Sequence, residues 1–284
     1  MATLDRTAAT GSPPVVITTR EKRDLGLIVA DGVQAVVCTP HPQPHWIGLL
    51  ADAIGGGSAT TKRSLLPDAS REEVRAWFHA WVDEVLPTGM VAPEIRVLLQ
   101  DDVSGLVDLM ATLGGVSRFR LRVLVGAPNN ECGFHVDTVA PGAPSWGLLR
   151  VYNGAGTEYA DPLDVRSLTE FHRYLRLRER LERSRARARR DGDEHTAARV
   201  ATEIADLDSA RPFLRRPDAI QLAPAGSIVA FKHADIRDYW SDNPAAASWI
   251  HCSPMAGCPR LVVNVTSPQW ARGTRRAAAH AGTR

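Results

Sequence analysis

Long hydrophobic runs, paired cysteines and a strong net charge are all missing from this chain of 284 residues. No apolar stretch is long enough to span a bilayer, and the first sixteen residues lack the apolar core of a secretory signal. The net charge is +2, so the chain as a whole carries no signal for binding polyanions. We therefore expect a cytoplasmic protein without a membrane partner.

The four cysteines form no CxxC pair; they are Cys38, Cys132, Cys252 and Cys258. Cys252 and Cys258 flank a turn, but the local sequence supplies no further ligands for a zinc site. In a cytoplasmic chain, we expect reduced and mostly buried thiols.

The chain is predicted to divide into three segments. Residues 1–16 are a leader and residues 269–284 a basic tail, and both are predicted to be disordered. Residues 17–268 form a single domain of ordinary globular composition. Within it, residues 17–115 are predicted to be mainly helical, and residues 116–268 to form a strand-rich core.

The clearest helix signal is the segment DASREEVRAWFHAWVDEVL in the N-terminal part. Ser70 can cap this helix, and Glu73, three residues later, completes a capping box. A further helix is predicted over residues 95–113, where a pair of glycines ends it. A short apolar run before both helices, GVQAVVCTP, is rich in β-branched residues and predicts a strand.

The sequence changes character after Gly115. The segment SRFRLRVLVG alternates between apolar residues and Arg118, Arg120 and Arg122, which is the period of a strand. Further short strands are predicted in CGFHVDTV, WGLLRVYN, GSIVAFK, SWIHCS and PRLVVNV, each bounded by turn residues. Since most of these segments follow one another without a helix, they predict an antiparallel sandwich or barrel.

A helical hairpin over residues 163–212 is predicted to interrupt these strands. Its first helix carries the basic run RLRERLERSRARARR, and its second helix is acidic. A solvated helix face, with Glu179 and Glu182 pairing with nearby arginines, is favoured over nucleic-acid binding because few aromatic residues lie nearby.

The residues suited to chemistry centre on His135-Val136-Asp137. Residues i and i+2 of a strand point to the same face, so His135 and Asp137 project together. A second histidine would complete a 2-His-1-carboxylate site for non-haem iron, although an HxD pattern alone arises by chance in many chains. His251 is preferred over His233 for this role because Arg260 opens a strand nine residues after it, where a guanidinium can bind a carboxylate.

Other polar residues are candidates for the same cavity. Several arginines would suit an anionic substrate or co-substrate, whereas an edge strand with solvated arginines is the alternative. Candidate co-substrate contacts are Arg260, Tyr152 and Arg122; candidate substrate contacts are Arg120, Asn130, Arg150, Thr157 and Trp240. The loop that carries Trp240 could be a lid or an ordinary surface loop.

The order of these motifs resembles that of the iron(II)/2-oxoglutarate-dependent dioxygenases, and most of all their prolyl-4-hydroxylase-like branch. The matching pieces are HVD, LLRVYNGAGTEY, PAGSIVAF, His251 and Arg260. The chain resembles more closely an uncharacterised bacterial family of unknown function with FHxD, GxGTEW-like and HRSP-like motifs. Its counterparts here are GFHVD, VYNGAGTEY and HCSP.

This resemblance implies Fe(II) held by His135, Asp137 and His251, and 2-oxoglutarate held by Arg260. It implies an α+β chain built on a double-stranded β-helix, or jelly-roll barrel, that uses O2, usually for hydroxylation. We expect the substrate to be a small molecule, such as an amino acid or a natural-product intermediate. An intact Asp137 argues against halogenation. Two alternatives stay open: a cupin-like metalloprotein that does not use 2-oxoglutarate, and a non-catalytic barrel whose basic hairpin binds a partner or nucleic acid.

Overall fold

A computed structural model describes residues 15–56, 59–86, 89–128, 133–236, 248–254 and 256–268. The predicted tail and nearly all of the predicted leader lie outside these residues. The strands within them are β1 (Val15–Thr19), β2 (Val33–Cys38), β3 (Lys62–Ala69), β4 (Phe119–Gly126), β5 (Thr138–Val139), β6 (Trp146–Val151), β7 (Thr157–Ala160), β8 (Ile220–Ala223), β9 (Ile228–Lys232), β10 (Ala234–Asp235), β11 (His251–Cys252) and β12 (Arg260–Thr266). The α-helices are α1 (His45–Gly55), α2 (Arg71–Val85), α3 (Pro93–Gly114), α4 (Leu168–Arg190) and α5 (Glu194–Ala210), and two 3₁₀ helices cover Lys22–Val29 and Pro162–Asp164.

The helix signals of the N-terminal part are present in the structure. Ser70 caps α2: its hydroxyl accepts a hydrogen bond from the Glu73 amide at 3.2 Å, and the Glu73 carboxylate accepts one from the Ser70 amide at 2.6 Å. The predicted helix over 95–113 lies inside α3. This part of the chain also contains β2, which lies in the predicted strand segment GVQAVVCTP, and β1 and β3, which the sequence did not predict. β3 contains Pro67 and several charged residues, which are also common in loops. An edge strand tolerates such residues, so the sequence does not distinguish this strand from a loop.

The largest element is a seven-stranded sheet in the order β1-β2-β9-β6-β12-β4-β3. Its pairings are antiparallel except for that between β1 and β2. The α-helices of the N-terminal part cover one face, where Leu121 and Val263 pack with Phe78 and Val107 in one apolar cluster. The prediction of a mixed α+β fold with a large antiparallel sheet is therefore confirmed.

A small sheet in the order β11-β7-β8 packs against the other face of the large sheet. Backbone hydrogen bonds between His135 and His251, at 2.9 and 3.0 Å, add the segment around His135 to its edge. Tyr159 and Trp249 of this layer pack against Val229 and Phe231 of the large sheet. The two sheets thus face each other, although strand pairing among the described residues does not close them into a barrel.

The outer face of the small sheet is covered by α4 and α5, which lie within the predicted hairpin segment 163–212. Phe171 and Tyr174 of α4 pack against Phe134 and Ile250 in a second apolar cluster. The described part of the molecule therefore has four layers: helices, large sheet, small sheet and hairpin. Arg183 pairs with Glu179 on the exposed side of α4, as expected for a solvated helix face, whereas the pair of Arg185 with Glu182 is half-buried.

The sequence predicts that no segment spans a membrane. None of the helices in the described ranges combines the length and the apolar character that a membrane span requires.

Candidate metal centre

The three predicted metal ligands come together between the two sheets. His135 and Asp137 alternate with Phe134 and Val136, which point outward into the apolar cluster beneath the hairpin. His251 alternates in the same way between two residues of that cluster. Because the side chains of an extended chain alternate between faces, apolar packing on the outer side directs all three polar side chains inward.

The geometry of this cluster fits a metal ion. One ligand atom from each of His135, Asp137 and His251 lies within 4.8 Å of the others. Nδ1 of His135 lies 2.9 Å from the Gly133 carbonyl oxygen, and Nδ1 of His251 lies 3.1 Å from that of Trp249. Since a carbonyl oxygen can only accept, each neutral ring carries its proton on Nδ1 and its lone pair on Nε2. Both imidazoles are therefore held in the tautomer that binds a metal through Nε2.

The protonation states also suit a cation. Burial by itself would raise the pKa of Asp137, but Arg122, whose guanidinium lies 3.2 Å from Oδ2, holds this pKa well below its usual range. Burial, followed by the neighbouring His135, lowers the pKa of His251 to about 3. Near neutral pH, the carboxylate is therefore ionised and the His251 ring is neutral. Two imidazole nitrogens and one carboxylate oxygen in these states match the donor set of a 2-His-1-carboxylate iron site.

A cavity of about 130 Å³ lies between the sheets and includes the three ligands. Arg260 lines it from β12 and is only 3 % exposed. Its guanidinium donates to the Ala155 carbonyl at 3.1 Å and also bonds Gly156 and Ser253, whereas its buried Nε has no hydrogen-bond partner among the described residues. Burial lowers the pKa of Arg260, yet a guanidinium stays charged at neutral pH. The cavity thus contains a fixed cation whose Nε–H is unpaired among the described residues.

The remaining predicted residues divide into three groups. The alternation of β4 places Arg120 and Arg122 on the face toward the small sheet, and Thr157 lines the cavity from β7. His233 is not part of the cluster of three ligands; its ring packs edge-on against Phe231, with 4.8 Å between the ring centroids. Two further predicted contacts, Asn130 and Trp240, lie outside the described residues.

Tyr152 and Arg150 do not face the cavity, which corrects their predicted positions. The Tyr152 hydroxyl donates to Asp102 of α3 at 2.7 Å, and Arg150 Nε lies 2.6 Å from the same carboxylate oxygen. Tyr152 directly follows β6, so it lies on the same face as Arg150, and this face packs on the helices. Because all residues of β6 are buried, the sequence carries no polarity signal that distinguishes the two faces.

A substitution of Tyr152 should therefore affect stability without affecting co-substrate binding. We expect Tyr152→Phe to lower the free energy of unfolding by about 1 kcal/mol, because one buried hydrogen bond is lost. The affinity for 2-oxoglutarate, the co-substrate that the sequence resemblance implies, should stay at the wild-type value. Urea denaturation and an anaerobic titration with the co-substrate measure the two quantities. A lower co-substrate affinity in a fully folded variant would place Tyr152 in the site.

A buried polar network supports the His135 segment from the hairpin side. The Tyr174 hydroxyl accepts a hydrogen bond from the Phe134 amide at 3.0 Å and donates to Asp208 at 2.6 Å. Arg178 Nε lies 3.0 Å from the same Asp208 oxygen. Gly133 has a positive φ of 55°, and a Cβ there would lie 2.3 Å from Arg178 Nε. Sequence reasoning missed this network, because its members are far apart in the chain and Arg178 lies within the basic run.

The fold and the site define this protein as a mixed α+β protein with a His-Asp-His cluster between two facing sheets. The chain belongs to a family of proteins of unknown function, DUF1826, whose match covers residues 19–265.

Two solved structures are similar to this chain. A dioxygenase for auxin oxidation from rice is 12 % identical, with a TM-score of 0.33, and the match covers 89 % of this chain and 82 % of that one. Apo C-terminally truncated T7H of Neurospora crassa is 11 % identical, with a TM-score of 0.32 and 82 % of each chain covered. No curated protein matches. Likenesses this distant carry no argument about activity, so a functional assignment depends on the site.

Proposed function

We propose that this protein is a non-haem iron(II)/2-oxoglutarate-dependent oxygenase that hydroxylates a small molecule with O2. The observation that carries the proposal is the convergence of His135, Asp137 and His251 in one cavity that also contains the buried Arg260. A set of three metal ligands alone would fit many reactions. A fixed cation with an unpaired donor in the same cavity adds a place for the carboxylate of a co-substrate.

The strand order supports a double-stranded β-helix as the scaffold of this activity. Along the chain, β4, β6, β9 and β12 belong to the large sheet, while the His135 segment, β7, β8 and β11 belong to the small one. From β4 onward, the chain therefore crosses repeatedly between two facing sheets, as in a jelly roll. The ligands then lie on the small sheet and the co-substrate anchor on the large one.

Each residue has a distinct role in this proposal. His135, Asp137 and His251 would hold Fe(II), and Arg260 would pair with the distal carboxylate of 2-oxoglutarate through its free Nε. The bound iron and 2-oxoglutarate would together supply the oxidising chemistry. Arg122 keeps Asp137 ionised.

Aromatic side chains hold the His251 ring in place. The Trp249 ring stacks on it at a centroid distance of 4.5 Å and an angle of 16°, and Phe231 lies edge-on at 5.2 Å. These contacts restrict the ring orientation and exclude water from its faces, so the Nε2 lone pair stays directed toward the other ligands.

The test is an anaerobic titration of the apo-protein with Fe(II) and 2-oxoglutarate, monitored by the weak visible charge-transfer band of the chelate. We expect the band in the wild type. Arg260→Ala should raise the dissociation constant for 2-oxoglutarate by about 100-fold, because truncating one partner of a buried charge pair costs several kcal/mol.

The matched control is Arg118→Ala, which removes an exposed arginine paired with Asp68 just before β4. It should leave the titration unchanged. Iron binding without the band would favour the cupin-like alternative, and absence of metal binding would favour a non-catalytic scaffold.

A further inference from the structure

The cationic residues of the inner face are arranged along the strands in a definite order. In the register between β12 and β4, Arg122 lies opposite Asn264 and Arg120 lies opposite Thr266. At about 3.3 Å per residue, these positions are roughly 13 and 20 Å along the sheet from Arg260. Because Arg122 contacts Asp137, the three proposed metal ligands lie near the middle of this row. One end is the proposed 2-oxoglutarate anchor, and the other end, at Arg120, has no role in the proposed function.

Among the residues that the structure describes, Arg120 and Arg122 share a single counter-anion, Asp137. Arg120 is partly buried and forms no hydrogen bond or ion pair with any residue that the structure describes. Arg122 forms one ion pair with a described residue, Asp137, and the same carboxylate attracts the Arg120 guanidinium electrostatically. If Asp137 binds a divalent cation, its negative charge is compensated by the metal, and two guanidinium groups then remain to be neutralised.

A buried histidine lies near this end of the row of arginines. His233 is 5 % exposed, and neither ring nitrogen has a hydrogen-bond partner among the described residues. A Cβ built on Gly147 would lie 2.8 Å from the His233 ring and 2.7 Å from Thr266, the residue opposite Arg120. The ring therefore lies at the same level of the sheet as Arg120. An imidazole with two unpaired nitrogens in a buried place indicates a missing hydrogen-bonding group.

We propose that Arg120, Arg122 and His233 form the substrate subsite, and that the substrate is a small organic anion whose carboxylate or phosphate group binds there. Both groups match the planar, bidentate donors of a guanidinium, and the His233 ring can donate one further hydrogen bond. The subsite lies on the opposite side of the metal cluster from Arg260. The identification of the bound anion as a substrate rests on the proposed function, whereas the anion site itself depends only on these three residues.

The experiment is a calorimetric titration with three probes that share one ring: benzoate, phenyl phosphate and benzyl alcohol. The protein is first saturated with Mn(II) and 2-oxoglutarate, which occupies the Arg260 end without supporting turnover. We expect benzoate or phenyl phosphate to bind and benzyl alcohol not to bind. The anion that binds with the higher affinity shows whether the subsite prefers a carboxylate or a phosphate group. Arg120→Gln should weaken binding of the preferred anion by about 10- to 100-fold, because a charge-assisted hydrogen bond is lost.

Arg120→Lys keeps the positive charge and should recover part of this loss, while the exposed Arg118→Gln should match the wild type. Equal binding of the alcohol and the anions, or unchanged anion binding in Arg120→Gln, would overturn the inference. The two proposals fail separately. Anion binding that depends on Arg120 in a protein that does not bind 2-oxoglutarate would refute the oxygenase and keep the subsite. The reverse result would keep the oxygenase and refute the subsite.

Discussion

Replacing His251 with alanine is expected to lower the affinity for Mn(II) or Fe(II) by more than about 100-fold. Even the loss of a residue that only hydrogen-bonds to a metal ligand lowers metal affinity by about 10- to 100-fold. His251 is one of the three proposed ligands that cluster among the described residues. The two that remain, His135 and Asp137, are only two residues apart on one extended segment. Without a ligand from β11, they form a much weaker site.

This prediction is best measured by Mn(II) titration, with the free ion counted by electron paramagnetic resonance. The matched variant is His233→Ala, which removes the other buried histidine near Asp137. Because His233 is outside the ligand cluster, it should retain Mn(II) binding within a few-fold of the wild type. If His233→Ala lost the metal and His251→Ala kept it, the assignment of the third ligand would be reversed.

The second large effect is expected for Asp208→Ala, on the hairpin. Asp208 accepts hydrogen bonds from Tyr174 and Arg178, and both donors are almost completely buried. Removing the carboxylate takes away the nearest counter-ion of the buried Arg178 guanidinium, which keeps an ion pair with Glu182 at 3.5 Å, and should cost about 3 kcal/mol of unfolding free energy. Burial, reinforced by Asp208, raises the pKa of Tyr174 far above its usual value, so its hydroxyl is protonated and loses its acceptor in this variant.

The same substitution should also weaken metal binding, although Asp208 lies on the far side of the small sheet from the cavity. Tyr174 holds the Phe134 amide, and His135 follows directly in the chain. A less constrained Tyr174 leaves the His135 segment less well positioned, and we expect a loss of metal affinity of about 10-fold.

Urea denaturation and Mn(II) titration below the unfolding transition measure these two effects separately. The control is Glu203→Ala on the same helix, which removes an exposed ion pair with Arg199 and should cost less than about 1 kcal/mol. If Asp208→Ala destabilised the protein but kept full metal affinity, the hairpin would serve stability alone.

The sequence by itself determined the local elements and the residue types of the site. The capping box of Ser70 and Glu73 requires only neighbours in the chain, and the alternation of β4 shows directly which residues share a face. In the same way, the spacing of His135 and Asp137 places both side chains on one side of an extended segment. These are short-range regularities, so no knowledge of the fold is needed to find them.

Only the tertiary structure decided which face of each strand borders the cavity. Tyr152 and Arg150 share a face, but strand β6 is buried on both sides, and the packing of α3 directs these residues to Asp102. The support of His135 by Tyr174 and Asp208 was equally hidden, since it joins segments 40 and 34 residues apart. Periodicity relates residues within one element, whereas a cavity is defined by the elements that pack around it. That packing depends on contacts between distant parts of the chain, which no local pattern contains.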